Sequence, residues 1–149
     1  MKALIQRVSL SSVSVENKNI ASIGSGLLIF IGIYSDDSIN DVYKICKKII
    51  NLRIFNDIDG KLNNSILDIS GEILLVSQFT LCADTKKGNR PSFNNAMKPD
   101  MANGLFGDLK DMLSDSVNVK IGEFGADMKV SLINDGPVTI MLNTKNENE

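Results

Sequence analysis

The sequence has 149 residues, a length that suits one domain and is too short for two ordinary ones. Its 16 basic and 18 acidic side chains leave a net charge of −2, which excludes a broadly basic protein and limits any nucleic-acid contact to a local patch. There is no histidine, which excludes a Ser-His-Asp triad, a Cys-His pair and a histidine general base. No run approaches the ~18 apolar residues of a membrane span and no signal peptide is evident, so we expect a cytoplasmic protein.

The first half of the sequence predicts a sheet with one helix packed on it. Alternating or continuous apolar residues predict strands over 1–15, 20–23 and 27–33, the last of them buried on both faces. Apolar residues at helical spacing predict an amphipathic helix over 39–50. A short strand over 53–55 follows, and the polar residues after it indicate a turn.

The second half predicts one more buried strand, a loop, a helix and a group of short strands. The buried strand starts at Glu72 and continues to Leu81, and a long loop over 82–98 leads to a helix with Pro99 in its first turn. Three strands with alternating apolar residues close the chain, at 117–121, 128–132 and 138–142.

Two helices are too few for a repeated βαβ fold. We therefore expect an α+β domain with a curved, mostly antiparallel, barrel-like sheet and two helices packed on it. This single domain is expected to span residues 1–142. Residues 143–149 are expected to form a polar tail that frays.

Two hydroxyls, an amide and an aromatic ring cluster where the strand from Glu72 stops being apolar. They belong to Ser77, Gln78, Phe79 and Thr80. Strand ends that open onto loops are common places for functional sites. The alternative is that the hydroxyls satisfy nearby backbone groups and the ring belongs to the core. Because a hydroxyl nucleophile needs a base, a site here must rely on lysine, a carboxylate or the substrate itself.

The loop that follows is the most basic segment of the chain. Its cations are Lys86, Lys87, Arg90 and Lys98. Cations beside a glycine can contact phosphates, although charge alone favours an ordinary solvated loop. The length of the loop inside a compact domain points towards function.

The remaining candidates are weaker. Cys46 follows a helical apolar pattern and Cys82 has no histidine to activate it, so neither is expected to be a nucleophile. The turn with Asp57 and Asp59 lacks the glutamate that completes a calcium loop, and we expect no metal site and no cofactor. The Asn-Asp-Gly-Pro sequence at 134–137 is typical of a hairpin turn, and few X-Pro bonds are cis.

Several of these segments occur together, in order, in one known family. The segments are Gln6-Arg7-Val8, Ser77-Gln78-Phe79-Thr80-Leu81, Ala83-Asp84, Lys87-Gly88-Asn89-Arg90-Pro91-Ser92-Phe93, Phe124-Gly125-Ala126-Asp127-Met128 and Asn134-Asp135-Gly136-Pro137-Val138-Thr139. Over residues 1–142 the sequence resembles the D-aminoacyl-tRNA deacylases of the bacterial and eukaryotic type. It departs from their pattern at Cys82, where alanine is familiar, and in its asparagine-rich tail.

The resemblance implies an enzyme that hydrolyses the ester between a D-amino acid and the 3′-terminal adenosine of tRNA, with glycyl-tRNA as a second substrate. It implies a homodimer with its sites at the subunit interface. Residues 77–80 would form the pocket walls, and Met128 would also belong to the substrate site. A cis Gly136-Pro137 segment, braced by Arg7, would enter the partner's pocket and reject an L side chain.

Two mechanisms are open for such an enzyme. In one, Thr80 is a nucleophile that forms an acyl-enzyme, although no nearby motif position supplies its base. In the other, the backbone N–H groups of Phe79 and Thr80 stabilise the oxyanion, and the 2′-hydroxyl of the terminal adenosine assists water. We favour the second, with the four basic residues of the loop region near the acceptor end of tRNA. The alternative function is a non-catalytic RNA- or partner-binding dimer of the same fold.

Overall fold

The computed structural model describes residues 1–145, which form eight strands, two α-helices and a 3-10 helix. The strands are β1 (Lys2–Val15), β2 (Lys18–Ile23), β3 (Gly26–Gly32), β4 (Phe55–Asn56), β5 (Leu62–Asn64), β6 (Glu72–Ser77), β7 (Asn118–Ile121) and β8 (Met128–Asn143). The helices are α1 (Ile39–Asn51), α2 (Pro99–Ser114) and the 3-10 helix Phe79–Cys82. Within the expected polar tail, β8 reaches position 143, and positions 146–149 lie outside the described residues.

One mixed sheet forms the centre of the domain. Its strands run in the order β2-β1-β3-β6-β7, and β8 pairs with β1. β1 is antiparallel to β2, β3 and β8, whereas β3 and β6, and β6 and β7, are parallel. The predicted α+β class with a curved, barrel-like sheet and two packed helices is confirmed. The number of helices did not reveal that part of the sheet is parallel. α1 connects β3 to β6 and α2 connects β6 to β7, and these are the crossover connections that parallel strands require.

Both faces of β3 are buried, as its continuous apolar run predicts. Leu27, Ile29 and Ile31 belong to the main core cluster, which also contains the inner faces of α1 and α2. Leu28 belongs to a second cluster, built with residues of β1, β2 and β6. Since successive side chains alternate across a strand, β3 supplies both layers.

The two helices are short and amphipathic. α1 has 13 residues and begins with a capping-box pair, Ser38 and Asp41, in which the Ser38 N–H donates to the Asp41 carboxylate at 2.9 Å. α2 has 16 residues and carries Pro99 in its first turn, as predicted. A bilayer crossing needs ~20 apolar residues, and within residues 1–145 no helix is long and apolar enough for one.

The last strand differs from the sequence prediction. The predicted hairpin at 134–137 is wrong, because β8 continues from Met128 to Asn143 without reversing. It pairs antiparallel with β1 on both sides of this segment, which forms a bulge. The favourable turn chemistry of Asn-Asp-Gly is therefore outweighed by cross-strand pairing, which extends over the whole length of β1.

Two predictions near the middle of the chain are also corrected. The short strand predicted over 53–55 lies later, as β4, and pairs with β5, which apolar patterning did not indicate. The strand predicted to reach Leu81 ends at Ser77, because the backbone turns there into the 3-10 helix.

Candidate functional site

A cavity of about 620 Å³ opens where β3 and β6 end. These two strands are parallel, so their carboxyl ends reach the same edge of the sheet. The start of α2 and the segment before β8 close the other sides. The apolar lining includes Ile31, Val76, Met97, Ala102, Phe124 and Met128. A mostly apolar cavity with a few polar groups is the usual form of a small-molecule site.

The polar groups come from the predicted Ser-Gln-Phe-Thr segment. Ser77 ends β6, and the N–H of Gln78 donates to the carbonyl oxygen of Ile31 at 2.7 Å, which ties the segment to the end of β3. Ser77, Gln78 and Phe79 line the cavity. Thr80 is exposed and does not line it, and its Oγ1 accepts a hydrogen bond from Gln78 Nε2 at 2.5 Å.

Two aromatic rings meet at this edge of the cavity. Phe79 is 56% exposed, and its ring packs edge-on against Phe93, with the ring centroids 5.0 Å apart. Phe93 belongs to the long basic loop, so the contact joins that loop to the end of β6. An exposed aromatic face is a surface on which a nucleotide base can stack.

Two backbone donors are available beside the cavity. Phe79 and Thr80 are the first residues of the 3-10 helix, and the first N–H groups of a helix have no partner within it. Within the described part of the chain, neither N–H donates to a protein acceptor. Such donors can stabilise negative charge that develops on a substrate oxygen.

Few ionisable groups reach the cavity. Among its lining residues, Lys98 has the one titratable side chain. Cys82 is buried, and burial raises the pKa of its thiol to about 11, so the thiol is protonated at neutral pH. Burial also raises the pKa of Cys46. Over residues 1–145, no three potential metal-ligating side chains of Cys, Asp or Glu lie together.

The bulge in β8 is a second feature, separate from the cavity. Residues 135–138 face a single residue of β1, Arg7, because the pairing register shifts there. The Gly136-Pro137 peptide bond is cis. Gly136 has a φ of +131°, which L side chains rarely adopt. Both residues are exposed to solvent.

Arg7 holds the bulge from inside the sheet. Its buried guanidinium donates from Nε to the carbonyl oxygen of Asp135 at 2.8 Å. It also donates from Nη1 to the carbonyl oxygen of Ile54 at 2.9 Å and to Asn56 Oδ1 at 2.8 Å. A Cβ added at Gly136 would lie 2.9 Å from Arg7 Nη2, so the close approach requires glycine.

The basic loop contributes to the cavity wall only through its C-terminal part, and its tip does not line the cavity. Its base is closed by two backbone hydrogen bonds between Asp84 and Ser92, of 2.8 and 2.9 Å. Its exposed tip carries Lys86, Lys87 and Arg90. Lys98 lies at the other end of the loop and lines the cavity.

One chain brings together only part of the predicted site. The predicted residues that line the cavity are Ser77, Gln78, Phe79, Met128 and Lys98. Gly136 and Pro137 do not line it. Gly136 follows Met128 by eight residues along β8, which corresponds to about 26 Å of strand at ~3.3 Å per residue.

Several lining residues carry no functional signal in the sequence. Phe93 and Phe124 could be noted as members of family motifs, but not as walls of one cavity. Met97 and Ala102 are single apolar residues of a loop and a helix. They come from elements far apart in sequence and meet only after folding, so no local pattern could identify them.

An apolar cavity with backbone donors, a hydroxyl, an amide and one lysine can bind a small substrate and stabilise an oxyanion without histidine. The model of the family described as D-Tyr-tRNA(Tyr) deacylase matches residues 4–143, and the chain belongs to that family. It is therefore a deacylase, a hydrolase that acts on D-aminoacyl-tRNA.

Two solved structures are similar to the whole chain. One is described as c-Myc DNA Unwinding Element Binding Protein and is 41% identical, with a TM-score of 0.94 over 98% of this chain and 100% of that one. The other is described as a probable eukaryotic D-amino acid tRNA deacylase and is 17% identical, with a TM-score of 0.81 over 95% of this chain and 97% of that one. The second likeness supports the fold.

Proposed function

We propose that residues 1–142 form one domain that proofreads the chirality of aminoacyl-tRNA as a homodimer. In this proposal the Gly136-Pro137 bulge of one copy enters the cavity of the other. The observation that carries it is the separation of the two features, about 26 Å along β8 within one chain. A bulge that is fixed by Arg7 and yet exposed is suited to complete a cavity on another molecule.

Apolar side chains on the β1–β8 surface support the dimer. Leu10 and Ile133 are cross-strand partners and are 54% and 58% exposed. Met141, beyond the bulge on β8, is 46% exposed. Large exposed apolar patches on small proteins often mark interfaces, and a two-fold interface would cover the same patch on both copies.

The ester is hydrolysed without a protein general base. The N–H groups of Phe79 and Thr80 would hold the ester carbonyl oxygen as it becomes an oxyanion, a contribution of ~3–4 kcal/mol per donor. Water attacks the carbonyl carbon, and the 2′-hydroxyl of the terminal adenosine relays a proton from that water to the leaving 3′-oxygen. The products are the free D-amino acid and tRNA. The protonated state of Cys82 and the lack of a carboxylate among the lining residues support this route.

A nucleophilic role for Thr80 has less support. Its side chain does not line the cavity, and its hydroxyl oxygen already accepts from the Gln78 amide. A hydroxyl also needs a base to become a nucleophile, and no carboxylate lines the cavity.

Selection against L-amino acids would be steric. The carbonyl oxygens of Gly136 and Pro137 would face the α-carbon and ammonium of the substrate and leave no room for an L side chain. Glycine has no side chain to exclude, so glycyl-tRNA is expected to be a second substrate.

The basic loop is the proposed contact with the acceptor end of tRNA. Its exposed cations are Lys86, Lys87 and Arg90, and Lys98 lies at the cavity. With so few cations the affinity should be modest and sensitive to salt. This role fits a cytoplasmic protein.

A second candidate is a non-catalytic nucleic-acid- or partner-binding dimer. It is favoured by the name of the 41% identical relative, which refers to binding of a DNA unwinding element. The unbroken Ser-Gln-Phe-Thr and Asn-Asp-Gly-Pro segments favour the enzyme.

Release of tyrosine from D-Tyr-tRNA and L-Tyr-tRNA decides between the two. We expect the wild-type chain to release D-tyrosine and to leave L-Tyr-tRNA intact. The Phe79→Ala variant serves as a control. It shortens an exposed side chain, so it should remain folded and should hydrolyse D-Tyr-tRNA more slowly than wild type. If the wild-type chain hydrolyses neither ester, the binding candidate replaces the enzyme.

A further inference from the structure

Helix α1 presents three lysines on one exposed face. Lys44, Lys47 and Lys48 follow the i, i+3, i+4 spacing that places side chains together on a helix surface. With Asn51 they line a groove of about 550 Å³ between α1 and the end of β8. The opposite face of α1 packs into the core, so the lysines face outward over this groove.

The three lysines have no acidic partners in the described part of the chain. None of them has a carboxylate oxygen within 4.0 Å, whereas the lysines at 110, 120, 129 and 145 each have at least one. Like charges at these spacings repel and destabilise a helix. A row of anionic groups outside the protein would remove that repulsion.

A second depression lies beside the groove, on the side towards the cavity wall. Asn143 borders both the groove and a depression of about 450 Å³. That depression is lined by Tyr34 and Asn95, and Asn95 directly precedes a residue of the cavity wall. Lys145 Nζ lies 5.8 Å from the centre of the Tyr34 ring. The groove on α1 therefore borders a depression that also holds Asp36, the ion-pair partner of Lys145, and that reaches the residue next to the cavity wall at Asn95.

We propose that Lys44, Lys47 and Lys48 bind backbone phosphates of the tRNA acceptor stem whose 3′ end occupies the cavity. The inference rests on the proposed function for its choice of RNA. A rise of 1.5 Å per residue separates Lys44 from Lys48 by about 6 Å along the helix, so the three cations can follow a run of phosphates. Lysine contacts phosphate as a point charge, so this face would hold the duplex without reading its bases.

The test compares two triple variants of equal charge. The first is Lys44→Gln/Lys47→Gln/Lys48→Gln, in which glutamine preserves the helix propensity of exposed positions. The control is Lys18→Gln/Lys61→Gln/Lys110→Gln, at positions that line neither the cavity nor the groove. Binding of uncharged full-length tRNA is measured over a range of salt concentrations. Hydrolysis of a D-aminoacyl ester of adenosine, which has no stem, is measured in parallel.

We expect the helix variant to bind tRNA about tenfold more weakly or worse at ~0.1 M salt. The slope of log affinity against log salt should fall in magnitude by about 2–3, as expected for three lost phosphate contacts. The control should match wild type, and all three proteins should hydrolyse the short ester equally. Wild-type affinity and slope in the helix variant would overturn the proposal, as would an equal loss in the control. If the wild-type chain hydrolyses no ester, the proposed enzymatic activity is refuted. The binding comparison would still show whether Lys44, Lys47 and Lys48 bind RNA phosphates.

Discussion

Replacing Gly136 by alanine tests whether the bulge rejects L-aminoacyl esters. The new Cβ would lie 2.9 Å from both Arg7 Nη2 and Val138 Cγ2, and contacts of 3.4–4 Å are ordinary. The φ of +131° adds backbone strain of about 1–3 kcal/mol for an L residue. To relieve both, the bulge must move away from Arg7 by several tenths of an ångström.

The strain is local, because β8 pairs with β1 on both sides of the bulge. A loss of 1 kcal/mol corresponds to about 2–4 °C in Tm for a chain of this size, so we expect a folded variant that melts somewhat earlier. A displaced bulge no longer excludes the L side chain. We therefore expect the ratio of kcat/KM for D-Tyr-tRNA over L-Tyr-tRNA to fall at least tenfold, equivalent to about 1.4 kcal/mol.

Gly60→Ala is the matched control. Gly60 also has a positive φ, of +76°, but a Cβ there meets nothing within 4 Å. Both variants should lose some Tm, and the change in discrimination should be confined to Gly136→Ala. An unchanged D to L ratio in Gly136→Ala would refute the steric role of the bulge.

Three further predictions concern the chemistry and the pH dependence of stability. Thr80→Ala should retain most of its single-turnover activity, whereas wild type should hydrolyse a substrate ending in 2′-deoxyadenosine poorly. Iodoacetamide at pH 8 should leave deacylation intact, because burial raises the pKa of Cys82 to about 11 and the thiol ionises only near that pH. Asp41→Asn should destabilise the protein at pH 7 by about 1–2 kcal/mol, measured as Tm. Burial alone would raise the pKa of Asp41, but hydrogen bonds from Thr144 and Ser38 outweigh it and hold the pKa below its usual 3.8. The stabilisation is therefore complete above pH 3.8 and is lost as pH falls through the lower folded value.

Each of these predictions has a result that contradicts it. A trapped aminoacyl ester on Thr80 would establish the acyl-enzyme route instead. Loss of activity in step with alkylation of Cys82 would give the thiol a role in the reaction. The loss of Tm in Asp41→Asn should exceed the loss in Asp59→Asn, which changes an exposed turn. If Asp41→Asn lowered Tm as much at pH 2 as at pH 7, the proposed dependence of stability on the ionisation of Asp41 would be wrong.

Patterns of period two and 3.6 were sufficient to predict most of the fold. They located β1, β3 and both helices, because each of these elements buries one continuous set of apolar residues. They failed where structure depends on pairing at a distance. The Asn-Asp-Gly-Pro sequence favours a turn locally, but β8 passes through it because β1 offers a partner along its whole length. The β3–β6 and β6–β7 pairs are parallel because the helix between the two strands of each pair crosses back to the start of the sheet. The sequence of a single strand does not contain this information.

The candidate site divides in the same way. Ser77, Gln78 and Phe79 stand out in the sequence because polar groups follow an apolar strand, and the structure places them at the cavity. Arg7 could be noted only as a motif residue, because its hydrogen bonds reach residues near 54–56 and 135. No pattern in the sequence could show that the bulge and the cavity lie apart within one chain.

The central claim is that each cavity is completed by the bulge of another copy, and mixed dimers test it most directly. Gly136→Ala keeps an intact cavity and is expected to hydrolyse both D- and L-Tyr-tRNA, whereas Phe79→Ala has an intact bulge and a weakened cavity. When Phe79→Ala is exchanged into Gly136→Ala dimers at about tenfold excess, random pairing gives most intact cavities a wild-type bulge. Hydrolysis of L-Tyr-tRNA per Gly136→Ala chain should then fall about tenfold, while hydrolysis of D-Tyr-tRNA continues. If L-Tyr-tRNA hydrolysis is unchanged after subunit exchange, the bulge acts within its own chain and the shared site is wrong.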